Sequence, residues 1–385
     1  NAYGRFGWHD NIFKAAYWYP VLCAQTEKGW ALTEFYPFHR PFHTDAAFYD
    51  VALTLPEEMT VIHSGAAQQE ERHDGFKTVV IKSEWPIRAF SFAASADYQW
   101  KESRYRDVVL RCYYLPGDEA RAEEAVENLK GVFAFYEERF GPYPYPEFSI
   151  APVHLGYGGE QMAGMILIDT RVFKLPRLLA REFDFLIAHE TGHQWFYNLI
   201  GVNGSEELWL EEAVNSYFSL AYMEEKYGYD AQILEFPEWV EPYTWLLPSV
   251  SFRRARDYRY QQEARMGYDG PLAGPLADYD DPSRIFSLIY GKGVRVMESL
   301  REKIGDEAFL RVFKQAFERY RFRNWTGKDF IELCEQESGQ DLMPFVEQWL
   351  FSGGHCDYGI RVRGKEATLT RHGNVIEPLE VRVVF

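Results

Sequence analysis

Up to about residue 115, apolar positions recur every second residue. In YDVALTLP, Tyr49, Val51, Leu53 and Leu55 alternate with small or polar residues, the period of a half-buried strand, and Pro56 ends the run. The short apolar runs TVVI, FSFAA and VVLRCYYL follow, separated by polar, Gly- or Pro-containing links. No helix-length amphipathic pattern interrupts them, so residues 1–115 predict an antiparallel β-domain. The period changes near Pro116-Gly117. From Asp118 to Phe140, Ala122, Ala125, Val126, Leu129, Val132, Phe133, Tyr136 and Phe140 recur at helical spacing. Asp118 and Glu119 favour a helix N-terminus, and Gly141-Pro142 stop the helix. Strand-like FSIAPVHL and MILID come next, with the polar stretch YGGEQMAGMI running into the second of them. The chain is then mostly helical, with helices expected over 181–200, 206–227, 285–304, 306–320, 327–338 and 342–350. The Pro-, Tyr-, Asp- and Gly-rich segment 239–282 reads as irregular. Period-two alternation returns in the tail. The pattern predicts an α+β multidomain chain in three parts: residues 1–115, 116–354 and a short β segment over 355–385 that could open a further β-unit.

Within the helical part, FLIAHETGHQWFYNLIGVNGSEELWLEEAVNSYF carries His189-Glu190-Thr191-Gly192-His193, an H-E-x-x-H match. Two histidines four apart lie on one helix face and can grip one Zn²⁺. Glu190 then projects beside the metal, placed to take a proton from bound water. The flanks FLIA and QWFYNLI bury the helix, so its polar groups need partners, and metal ligation supplies them. Gly201 can end this helix and Asn203-Gly204-Ser205 can start the next, which carries WLEEAVNSYF. Glu211 or Glu212 can therefore return as third ligand, leaving a fourth position open.

Composition narrows the partners. The 385 residues are 46% hydrophobic and 26% charged, as in a soluble globular protein of two or three domains. Aromatic residues reach 17%, enough for aromatic cores and for a lined substrate groove. A net charge of −17 repels a phosphate backbone, so no nucleic-acid partner is expected. The four cysteines form no Cys-x-x-Cys pair and encode no cysteine zinc site. No apolar run approaches the ~20 residues of a transmembrane helix. The first residues carry no signal pattern, and localisation stays open.

The segment resembles gluzincin metallopeptidases of the aminopeptidase N and leukotriene hydrolase type, whose pattern is H-E-x-x-H, eighteen residues, then Glu in W-L-x-E-[GA]. Here that run is Trp209-Leu210-Glu211-Glu212-Ala213, with Glu212 nineteen positions after His193. HQWF, the IYGKG of 289–293, IGDEAFLRVFKQAFERYRFRNWTGKDF and the upstream PFHTDAAFYDVALTLP extend the resemblance over nearly the whole chain. It implies a thermolysin-like α/β catalytic domain behind an N-terminal β-domain that begins partway through. It also implies one zinc per chain, held by His189, His193 and Glu212. Glu190 is implied as the catalytic base and Tyr290 as the donor to the oxyanion, while Lys292, in a Gly-Lys-Gly too short for a phosphate loop, reads as structural.

In the family, a strand edge of the G-x-M-E-N or G-G-M-E-Y type lines the peptide and binds its free amino group through the Glu. Here the same positions are Gly158, Gly159, Glu160 and Gln161, so a carboxamide falls where the amine-binding Glu is expected. A neutral amide holds an ammonium less strongly than a carboxylate does. Either Glu160 substitutes, turned inward by a bulge near the two glycines, or it is solvated. Asp10 is the candidate for a second amine contact from the β-domain. His9, His154 and His355 read as surface or structural residues rather than ligands. The implied activity is zinc-dependent peptide hydrolysis from the N-terminus by attack of a zinc-bound water. An endo- or dipeptidyl-acting zinc peptidase, prompted by Gln161, and a non-catalytic peptide-binding scaffold are the alternatives.

Overall fold

The computed structural model describes residues 4–27, 29–33, 36, 43–247, 250–279 and 281–377. The N-terminal part is built mainly from two antiparallel sheets, beside a two-residue pairing of Gln25–Thr26 with Gly29–Trp30. Strands β1 (Phe6–His9) and β2 (Ile12–Ala15) form a hairpin. Strand β3 (Asp50–Pro56) precedes β4 (Thr60–His63), β5 (Ala66–His73), β6 (Phe76–Lys82) and β7 (Phe92–Ser95). The sheets run in the order β1-β2-β7-β4 and β3-β6-β5. The expected alternation holds in β3, where Leu53 is buried between exposed Ala52 and Thr54.

Strands β8 (Gln99–Tyr105) and β9 (Val108–Tyr114) fall before residue 115, yet they hydrogen-bond into a five-stranded mixed sheet with β10 (Glu147–Val153), β11 (Gly159–Met162) and β12 (Met165–Asp169). The order is β8-β9-β10-β12-β11, with the two central pairings parallel and the outer ones antiparallel. Alternation identifies strands but not the sheet they join. A parallel step from β9 to β10 needs a crossover, and helix α1 (Glu119–Arg139) supplies it. One face of the sheet, through Ile150, Ile166 and Ile168, packs into the core shared with the helices. The other, through Ala151, Val153 and Leu167, packs against Ile12, Ala16, Ile62 and Ala93 of the N-terminal strands. Both faces are buried, which accounts for the continuous apolar runs of β10 and β12.

The remaining helices are α2 (Ala180–Gly192), α3 (Gly204–Tyr227), α4 (Phe252–Arg265), α5 (Pro282–Ser287), α6 (Gly293–Ile304), α7 (Asp306–Tyr320), α8 (Gly327–Ser338) and α9 (Met343–Trp349). Three expectations shift. The 181–200 helix stops at Gly192, and beyond His193 the chain turns with Asn198, Leu199 and Ile200 donating to the carbonyls of His193, Gln194 and Trp195. The segment 239–282 is not all irregular: Ser251 caps α4 by accepting from Arg254 N, and Phe252 and Tyr260 bury its inner face. The 285–304 helix is divided by a π-helical turn at Leu288–Lys292. A hairpin of β13 (Tyr358–Arg363) and β14 (Glu366–Arg371) ends the described chain, and the rest of the expected β tail, 378–385, lies outside the described residues. Among the described residues no helix is long and apolar enough to cross a membrane.

The fully buried Arg88 guanidinium joins distant parts of the chain. It donates to the carbonyls of Thr44 (2.8 Å) and Arg323 (2.7 Å), to Asn324 Oδ1 (2.7 Å) and to the Tyr197 carbonyl.

Candidate active site

Helices α2 and α3 cross at the centre of the site. Asn203 starts α3 by accepting from Ser205 N, and the approach of the two helices depends on Gly192. A Cβ there would lie 2.1 Å from Asn215 Oδ1 and 2.3 Å from the Tyr136 hydroxyl. At this spacing the Nε2 atoms of His189 and His193 each lie 3.4 Å from Oε2 of Glu212. Ligands about 2.1 Å from a tetrahedral zinc lie roughly 3.4 Å apart, so the three donors fit that ion with a fourth position left over. All three residues are buried, and their donor atoms lie within 4.8 Å of one another.

The outer nitrogens of both rings are surrounded by protein. His193 Nδ1 is 3.2 Å from the Phe196 carbonyl and 3.3 Å from Oε1 of Glu211. Nδ1 thus carries the proton and Nε2 keeps its lone pair for a metal. The two neighbouring glutamates that compete as third ligand at the sequence level take different places: Glu212 meets both Nε2 atoms, and Glu211 meets the far side of one ring. His189 Nδ1 has Asn215 Nδ2 at 3.4 Å and Ser219 Oγ at 3.5 Å, and Asn215 also donates to the His189 carbonyl at 2.8 Å. Sequence reasoning missed Asn215 and Ser219. Their signal is a polar stripe at positions 211, 215 and 219, one turn apart along an otherwise apolar buried helix.

Glu190 is buried beside these rings, and strand β11 lies directly against it. A Cβ on Gly159 would sit 2.8 Å from Glu190 Cγ and 2.9 Å from its Oε1. A Cβ on Gly158 would meet Leu186 Cδ1 at 3.3 Å. The two glycines therefore admit helix α2 itself. Tyr290 comes from the π-helical turn, with its ring centroid 6.0 Å from that of His189 and 5.3 Å from the stacked ring of Phe286. The extra residue of a π-turn rotates the positions after it, and such turns gather at functional sites. Lys292 anchors the turn from below, its buried ammonium donating to Asp269 (3.1 Å), the Gly270 carbonyl (2.8 Å) and the Ser352 carbonyl (3.3 Å). Gly293 holds α6 against α3, since a Cβ there would lie 2.4 Å from Cβ of Ala213, the neighbour of Glu212.

The strand edge follows regular alternation. Gly159, Glu160, Gln161 and Met162 pair with Ile168, Leu167, Ile166 and Met165 without a bulge. Gln161 shares a face with Gly159, towards the helices, and its Oε1 accepts from Asn198 Nδ2. Glu160 points the other way. It is not solvated: only 7% exposed, it meets the Arg5 guanidinium at 3.0 Å and accepts from the Tyr157 hydroxyl at 2.9 Å. Burial opposes the charge of Arg5, but Glu160 and Tyr157 outweigh it and hold the guanidinium firmly protonated. Burial and then the Glu160 charge push the Tyr157 phenol upward. Neither Arg5 nor Tyr157 was legible as a site residue, because nothing local marks the strand to which the N-terminus returns. Asp10 is placed apart from this group, its side chain 73% exposed beside His9 and His154.

The chain is 24% identical over 374 residues to "Probable aminopeptidase 2" of Sulfurisphaera tokodaii, covering 93% of this chain and 45% of the relative. It is 27% identical over 242 residues to "Aminopeptidase N" of Lactococcus lactis, covering 60% of this chain and 26% of the relative. The chain thus spans less than half the length of these relatives. Among solved structures, Legionella pneumophila aminopeptidase A in complex with aspartic acid superposes over 97% of this chain and 41% of its own, with a TM-score of 0.70 and 17% identity, a likeness of fold. The Peptidase family M1 domain matches residues 124–349, a span that runs from within α1 to α9 and contains His189, Glu190, His193, Glu211, Glu212 and Tyr290. With more than half of its length matched by that family's domain, this chain belongs to peptidase family M1.

Proposed function

We propose that the chain carries the hydrolytic centre of a zinc aminopeptidase, with His189, His193 and Glu212 as the ligands. The supporting observation is the pair of 3.4 Å separations between the two imidazole Nε2 atoms and Glu212 Oε2. Zinc bound there would supply a Lewis acid that polarises the scissile carbonyl and acidifies water. Glu190 accepts the proton of the attacking water and passes it to the leaving amine. Tyr290 donates its phenolic proton to the oxygen on which charge develops, an interaction that strengthens only towards the transition state. Asn215, Ser219 and Glu211 hold the two rings in their ligating orientation. The backbone of Gly158 and Gly159 lines the peptide, and Gln161 faces the same side.

The N-terminal preference rests on relatives named as aminopeptidases. A second reading, endo- or dipeptidyl cleavage, is favoured by one observation: the carboxylate of the strand edge is paired with Arg5, and its amide with Asn198. The test compares a free-amino peptide with its acetylated twin. Loss of the first residue from the free peptide alone is expected. Equal internal cleavage of both would replace the aminopeptidase reading with the second.

A further inference from the structure

His9, Asp10 and His154 lie far apart in sequence, and nothing in the hydrolytic mechanism uses them. In the folded chain they converge. His9 ends β1, and Asp10 with Asn11 forms the turn into β2, both with left-handed φ (44° and 61°). Asp and Asn tolerate this conformation where most residues do not. His154 follows the last residue of β10. Asp10 Oδ2 stands 3.4 Å from His9 Nε2 and 3.8 Å from His154 Nε2, and one donor atom from each residue lies within 4.8 Å of the other two. The rings meet edge to face, with centroids 4.7 Å apart.

These separations are close to the edges of a tetrahedral zinc site, roughly 3.4 Å. The His154 ring is already oriented for it. Its Nδ1 is 3.0 Å from Thr170 Oγ1, while its Nε2, facing Asp10, has no hydrogen-bond partner among the described residues. Its carbonyl accepts from the Lys14 ammonium of β2. Asp169 holds the next two residues, accepting from Leu155 N (2.9 Å) and Gly156 N (2.8 Å). An imidazole held at Nδ1 with a bare Nε2 is how a protein prepares a histidine ligand.

We propose that His9, Asp10 and His154 form a second divalent-cation site, of the zinc class, stapling the β1–β2 hairpin to the end of β10. Two imidazoles and a carboxylate suit Zn²⁺, Co²⁺ or Ni²⁺ rather than Ca²⁺ or Mg²⁺, which prefer all-oxygen shells. The exposed side of Asp10 leaves room for water to complete the shell. The staple fixes the strand that follows Arg5, so it steadies the Arg5–Glu160 pair at the rim of the hydrolytic centre.

The experiment equilibrates the whole chain with micromolar Zn²⁺, removes loosely held metal and counts zinc by elemental mass spectrometry. Two zinc ions per chain are expected for the natural sequence, and one each for the His9→Ala/His154→Ala double variant and for His189→Ala. Asp10→Asn, a change on an exposed turn, should weaken the second site at least about tenfold in competition with a chelator. Hydrogen exchange should show Zn²⁺ slowing the hairpin amides of 6–15 in the natural chain and not in the double variant. The proposal is overturned if the double variant retains as much zinc as the natural chain. It is equally overturned if Asp10→Asn leaves the second affinity unchanged. Failure of the hydrolytic site shows separately, as a His189→Ala chain with undiminished zinc.

Discussion

The α2–α3 helix pair and the β11 strand edge pack against one another at Gly159 and Glu190 but differ in how their polar groups are employed. On the helices, each ring is held at its outer nitrogen by Glu211 and Phe196 or by Asn215 and Ser219, while both inner nitrogens turn towards Glu212. On the strand, Glu160 is committed to Arg5 and Tyr157, and Gln161 to Asn198. The first region holds its imidazoles from behind, through Glu211, Asn215 and Ser219. The second uses its polar groups to fasten itself to its neighbours. The two regions therefore fasten their polar groups through separate sets of partners and touch where Gly159 lies against Glu190.

Substitutions can break or sharpen that contrast. The largest effect is expected from Glu190→Gln: zinc content unchanged by elemental analysis, with kcat lowered about 10²–10⁴-fold. Retained activity would remove Glu190 from the proton transfer. Glu211→Gln should leave peptide KM alone and weaken zinc about 10–100-fold in chelator competition, because it touches the far side of His193. Where the two regions meet, Gly159→Ala forces a methyl against Glu190. It should cost about 1–3 kcal/mol in denaturant melts and depress kcat more than zinc affinity. A neutral outcome would mean that the strand can withdraw from α2. On the strand alone, Gln161→Glu should raise the preference for free-amino over acetylated peptide about fivefold, the gain of a charge-assisted bond over a neutral one.

The smallest effect concerns the loop between the two regions. Burial raises the Asp169 carboxyl, but the Arg171 guanidinium and the amides of Gly156, Arg171 and Leu155 outweigh burial and hold it below its ordinary 3.8. A depressed carboxylate stabilises the fold above its unfolded pKa and loses that contribution as pH falls through the folded one. Asp169→Asn should thus cost about 1–2 kcal/mol at neutral pH, with the gap to the natural chain closing in melts as pH falls below the ordinary carboxylate range.

The contrast also explains what could be read from the sequence. Spacing on a helix is local, so His189, Glu190 and His193 were legible as candidates, while the choice of Glu212 over Glu211 came from the family resemblance. The strand edge was legible as a position but not as a circuit. Arg5 lies about 155 residues before Glu160, and a single sequence carries no signal joining them. The same reason hid Asn198 as the partner of Gln161. Strand β9 was legible in VVLRCYYL but not as part of the central sheet, since alternation reports a buried face and not its neighbour, and its largely exposed partner β8 carries no apolar run. The π-turn under Tyr290 escaped because its helical period continues on both sides.

Arg88 has a consequence for how the chain is assembled. Its acceptors belong to Thr44, Tyr197, Arg323 and Asn324. A guanidinium is not buried until such partners exist, because a lone charge away from water is strongly unfavourable. As the chain emerges from the ribosome, the N-terminal sheets can therefore form early but must keep this charge hydrated. They can lock onto the helical part only after the segment near residue 323 has been made. A chain stopped before residue 323 lacks two of the four acceptors and leaves the guanidinium incompletely paired.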